Sequence, residues 1–121
     1  MEVMLPRLVR PEDRESPPGG QTPGLHREAA FVEEGLWVGF VKADPGTGGW
    51  HHHAENDTYI YLLQGGMRVE PREAGAPVDG REGDFIHVPK NIVHREVTPD
   101  GGATAIVMRL GSGPPVVNVD E

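Results

Sequence analysis

The stretch GGWHHHAENDTYIYLLQGG, Gly48 to Gly66, decides how the chain is read. Its second half, Thr58-Tyr59-Ile60-Tyr61-Leu62-Leu63, is rich in β-branched and aromatic residues and reads as a strand. Gln64-Gly65-Gly66 then reads as the turn of a hairpin leading into Met67-Arg68-Val69-Glu70. The first half sets three consecutive histidines just ahead of that strand. Side chains of an extended chain alternate between faces, so His51 and His53 point one way and His52 the other. Two imidazoles on one face can chelate one ion, whereas a histidine-rich loop with no third partner is merely polar.

Working outward, the same strand-and-turn grammar continues. Leu36-Trp37-Val38-Gly39-Phe40-Val41 reads as a strand closed by Asp44-Pro45-Gly46, with Gly39 as a candidate bulge. Asp84 to Val88 is a short strand stopped by Pro89, which has no N–H to offer a neighbour. Ala103 to Leu110 and Val116 to Val119 complete the set. No segment carries a helical period beyond a turn or two, and 17 glycines and 12 prolines argue for many turns. The fold class is therefore all-β, a small barrel or jelly roll.

At 121 residues the chain is the size of one domain. Pro11 to Gly24, made of proline, glycine and charge, has little to bury, so residues 1–30 are read as an N-terminal arm and loop and residues 31–121 as a single barrel domain. The arm's MEVMLPRLVR has the composition of an edge strand. A net charge of −8, with arginines scattered rather than clustered, makes nucleic acid an unsuitable partner. No apolar run reaches membrane-spanning length and the first residues do not form a secretory signal, so the expectation is a cytoplasmic protein. With no cysteine, any metal must be held by nitrogen and oxygen.

A third histidine, His94, ends GDFIHVPKNIVH, after a Pro-Lys-Asn turn that can swing the chain back. Here the chain resembles the cupin superfamily. Gly83-x5-Pro89-x-Asn91-x2-His94-x3-Thr98 keeps the spacing of the second cupin motif, with Asn91 in place of glycine and Thr98 in place of asparagine. Asparagine is a non-glycine residue that tolerates positive φ, so the turn can survive. The first motif is matched by His51-x-His53 and Gly65, while Thr58 stands where the family has glutamate.

The resemblance implies a double-stranded β-helix (jelly-roll barrel) and one divalent transition metal, Fe, Zn, Ni, Cu or Mn, held by His51, His53 and His94. A threonine hydroxyl is a poor ligand, so water fills the remaining positions, with Asp57, Glu55 and Thr58 as competitors for the fourth; strand alternation turns Thr58 inward. Three neutral imidazoles leave the full charge on the ion, and similar ligand sets occur in thiol dioxygenases. The fold also hosts isomerases, decarboxylases and ligand sensors, so it does not decide whether the chain is an enzyme. For an enzyme, the reading is an oxygen-dependent dioxygenase acting on a small organic molecule. The alternatives are a small-ligand binding or sensing module with a structural metal, and a metal-assisted isomerase or hydrolase using His87, Glu55 or Asp57 as base. His87 is otherwise read as packed on a backbone carbonyl, Trp37 as core, Trp50 as a wall of the site, and Arg68, Arg95 and Arg109 carry no assigned role. Many cupins are dimers, and a homodimer is expected.

Overall fold

The computed structural model describes residues 5–73 and 75–120. After a single 3-10 turn at Pro11–Asp13, the strands follow as β1 (Leu25–Glu33), β2 (Leu36–Ala43), β3 (Gly46–Thr47), β4 (His51–His52) and β5 (Glu55–Pro71). They continue as β6 (Val78–Arg81), β7 (Phe85–Val88), β8 (His94–Thr98), β9 (Ala103–Ser112) and β10 (Val117–Asn118). They form one curled sheet in the order β1-β2-β9-β5-β8-β4-β10, with β3 on β8 and both β6 and β7 on β5, all antiparallel. The all-β jelly-roll expectation holds. β1 enters the sheet at Leu25, ahead of residue 31 where the barrel was expected to begin. Of the arm, residues 1–4 lie outside the described residues, and Leu5 to Arg10 form no strand.

The hairpin expected at Gln64–Gly66 does not exist. β5 runs straight through it as one strand of 17 residues, pairing with β9 over its first part and with β8 over its last. The two glycines make a barrel corner. Pairing with β9 slips by one between Leu62 and Gln64, and the inward set changes from Asn56, Thr58, Ile60 and Leu62 to Met67 and Val69. An extra residue flips every later side chain to the other face, which is how one strand serves two layers. Gly65 sits at φ +79°, and a β-carbon there would collide with the Gly102 carbonyl oxygen.

Gly39 is not itself bulged. The irregularity lies on β1, between Ala29 and Phe31, opposite Gly39. Gly39 is glycine because the Trp37 ring lies over its α-carbon, and an added β-carbon would also come within 2.6 Å of the Glu28 carbonyl oxygen. The apolar core, including Leu25, Val41, Ile60, Leu62, Ile86 and Val107, fills the interior from both layers, with Trp37 among its members as expected. None of the helices among the described residues is long and apolar enough to cross a membrane.

Candidate metal centre

β4 and β8 lie side by side with His51 and His94 as direct cross-strand partners, so strand pairing itself sets two rings next to each other. His53 follows two residues after His51, as alternation predicts. All three histidines are buried, with ring centroids 4.3 Å apart for His51 and His94 and 5.0 Å for the other two pairs. One ligand nitrogen from each lies within 4.8 Å of the others, so together they could hold a metal ion. Asn91 takes φ +63°, the left-handed turn that the second motif requires, and its side chain donates to Glu55.

The rings are oriented by backbone carbonyls. Nδ1 of His51 contacts the Gly49 carbonyl at 3.0 Å, His94 that of Ile92 at 2.8 Å, and His53 that of Pro115 at 2.8 Å. A ring that donates through Nδ1–H keeps its Nε2 lone pair free, the tautomer a metal ligand needs. His53 Nδ1 also lies 3.1 Å from Arg109 Nε. One nitrogen cannot donate to Pro115 and accept from Arg109. The shorter contact and the pattern shared with the other two rings favour Pro115. Burial pushes His51 and His53 below the ordinary histidine range, in His53 helped by the Arg109 charge, so both imidazoles are neutral.

A residue that the sequence reading missed lies beside two of the three histidines. Glu96, two residues after His94 and on the same face of β8, is buried with Oε1 3.5 Å from His51 Nε2 and 3.4 Å from His94 Nε2. Those separations are long for hydrogen bonds, but four ligands each about 2.1 Å from a tetrahedral ion stand about 3.4 Å apart. Burial works to raise the Glu96 pKa, yet the facing His51 and His94 hold it well below the usual carboxylate range. The alternation His94-x-Glu96 was the available signal. It becomes readable only once β8 is known to be a strand.

The other competitors are placed differently. Thr58 points inward, its Oγ1 buried without a partner. Glu55 is exposed, and the partly exposed Asp57 bonds His87 Nε2 at 2.9 Å on the outer surface. His87 is therefore not packed on a backbone carbonyl; it is exposed and stacked on Tyr59, with ring centroids 4.8 Å apart. His52 faces away and accepts from the Ala54 N–H. Trp50 packs under Arg95, whose guanidinium also pairs with Glu70, and Arg68 pairs with Asp79 on the surface.

Arg109, to which the sequence assigns no role, lies in the interior. It and Arg27 are each 2% exposed and line an interior cavity together with His53, Thr58 and Glu96. Burial lowers Arg27 to about 10 and Arg109 to about 9. The Arg109 guanidinium stacks on Trp37, 4.4 Å from the ring centroid. Arg27 donates from Nη1 to Thr22 Oγ1 at 2.8 Å.

A family model described as the cupin domain matches residues 39–108. No curated protein matches the chain in sequence. Among solved structures, KdgF from Halomonas sp. is similar at 22% identity and a TM-score of 0.69, covering 88% of this chain and 96% of that one. The polyketide cyclase RemF from Streptomyces resistomycificus is similar at 21% identity and a TM-score of 0.73, covering 97% of this chain and 87% of its own. A Streptomyces PAC13 variant with uridine has 14% identity and a TM-score of 0.76, over 96% and 92% of the two chains. At these identities the likeness shows a shared fold.

Proposed function

Since the chain belongs to the cupin family, we propose that it holds one divalent transition metal through His51, His53, His94 and Glu96 and binds a small organic ligand beside it. The observation that carries this reading is a set of buried atoms without partners: Nε2 of His51, Nε2 of His94 and Oε2 of Glu96. Lone pairs buried together without a donor are costly, and a cation among them removes the cost. Imidazole and carboxylate suit iron, zinc, nickel, copper and manganese. A bound metal of this kind supplies Lewis-acid activation or, as iron, oxygen chemistry.

The chain's own residues do the rest. The carbonyls of Gly49, Ile92 and Pro115 hold the three rings in one tautomer. Leu25, Val41, Ile60 and Val107 supply the apolar part of the cavity wall. For the reaction we assign oxygen-dependent dioxygenation of a small organic molecule, since histidines with one carboxylate are a donor set of non-haem iron oxygenases. A second reading is metal-assisted isomerisation or hydrolysis, in which the metal would activate substrate or water as a Lewis acid. His87, Asp57 and Glu55 lie on the outside, away from the histidines, so none of them is placed to act as its base. RemF and the uridine-containing PAC13 structure support a small organic ligand in a barrel of this shape. A homodimer belongs to the same proposal, supported by exposed apolar side chains such as Phe85 and Leu110.

Elemental analysis of untagged protein tests the centre. Near-stoichiometric metal in the parent and its loss in His94→Ala are expected, and retention by the variant overturns the site. Oxygen uptake after anaerobic Fe(II) loading separates the two reactions: uptake with a small substrate supports the first, and turnover without oxygen the second.

A further inference from the structure

Among the described residues, the buried side chains with a formal charge at neutral pH are Arg27, Arg109 and Glu96, and the three buried histidines would meet a metal as neutral ligands. The interior therefore carries one uncompensated positive charge before any metal is added, and a divalent ion makes it three. Buried charge without a counterpart is strongly unfavourable, so this interior calls for an anion. Donors for it are already in place: Arg27 Nη2 and Arg109 Nη1 are both buried without a partner. Two free N–H groups from two guanidiniums match the two oxygens of a carboxylate.

The room available defines the rest of the ligand. The cavity that Arg27 and Arg109 share is about 20 Å³, space for roughly one water-sized group. Arg27 also lines a second, larger cavity of about 370 Å³ between Glu15–Gly20 and Pro114–Asn118, with Pro17, Trp37, Pro115 and Val116 among its walls. The two cavities share Arg27, and walls of the larger touch residues of the smaller. Trp37 carries the Arg109 guanidinium on its ring, and Pro115 supplies the carbonyl that orients His53. The Thr22 hydroxyl, which accepts from Arg27, donates in turn to Asn118 Oδ1 at 2.5 Å, tying the anchor to the groove wall.

We propose that the ligand is a small organic acid whose carboxylate is held by Arg27 and Arg109 and whose apolar body lies in the groove between Glu15–Gly20 and Pro114–Asn118. This deepens the reading of a ligand-binding metal centre and rests on it. The groove is mostly proline, tryptophan and aliphatic surface, which suits an unbranched or aromatic carbon body rather than a sugar.

The test is calorimetric titration of the zinc-loaded full chain with acetate, butyrate and benzoate, each against its neutral amide, and the same on Arg27→Met. Expected is binding of butyrate or benzoate about tenfold or more tighter than the amide, and loss of that preference in Arg27→Met with one zinc still bound. The acid–amide comparison is made on the unaltered protein, so it stands even where Arg27→Met fails to fold. Equal binding of acids and amides, binding of none of the probes, or a preference kept in full by folded Arg27→Met overturns the proposal. The last result would place the acids on the metal alone. If the unaltered chain takes up no zinc, the metal reading fails, and the same titrations on metal-free protein decide this one by the same criterion.

Discussion

Replacing Glu96 by glutamine keeps the shape of the side chain and removes its charge, and the structure sets the size of the effect. Glu96 Oε1 stands 3.4 and 3.5 Å from the two nitrogens that would share a metal with it, at ligand-to-ligand range rather than one shell further out. Losing a group that only supports a ligand weakens metal binding about 10- to 100-fold. Losing the one anionic ligand should exceed that, weakening zinc affinity by more than about 100-fold, or about 2.8 kcal/mol. The assay is competition for zinc against a chromophoric chelator at neutral pH. Asp57→Asn serves as a control, since Asp57 lies on the outer surface with His87. Circular dichroism and urea unfolding of the metal-free proteins establish that both variants fold. An affinity within about threefold of the parent would refute the reasoning and leave three histidines without a carboxylate.

Three further outcomes are expected. Thr58 points inward from the position where the cupin pattern has glutamate, so Thr58→Glu placed in a Glu96→Ala background should recover about tenfold or more of the lost zinc affinity in the same competition assay. Gly65→Ala should destabilise the metal-free chain by about 2–4 kcal/mol in urea, because the residue combines φ +79° with a β-carbon aimed at the Gly102 carbonyl; parent-like stability would show that the corner tolerates a side chain. The hydrogen bond from His87 holds the Asp57 carboxyl below its ordinary value. The stabilisation from that pair is therefore present above the ordinary carboxylate pKa and lost as pH falls through the folded-state value, so the difference in stability between parent and Asp57→Asn should vanish in acid; a constant difference across that range would contradict it.

The sequence determined by itself what depends on neighbours along the chain. Alternation placed His51 and His53 on one face and His52 on the other. Motif spacing placed His94 with them, and the tolerance of asparagine for positive φ made the turn at Asn91 readable. The same local signals could not distinguish a hairpin from a corner at Gly65-Gly66. Both begin with a strand ending in flexible residues, and the difference is whether the next segment pairs back on the same strand or with β6 and β8, which lie further along the chain. Tertiary structure alone decided that β5 continues, and the resulting change of phase set which side chains enter the second half of the interior. It also decided the chemistry around the histidines. Glu96, Arg27 and Arg109 are charged residues on strands, and the sequence assigns none of them a role. They are inside because strands distant in sequence close around them, and the attraction of Glu96 offsets only part of the burial of Arg27 and Arg109, which repel each other.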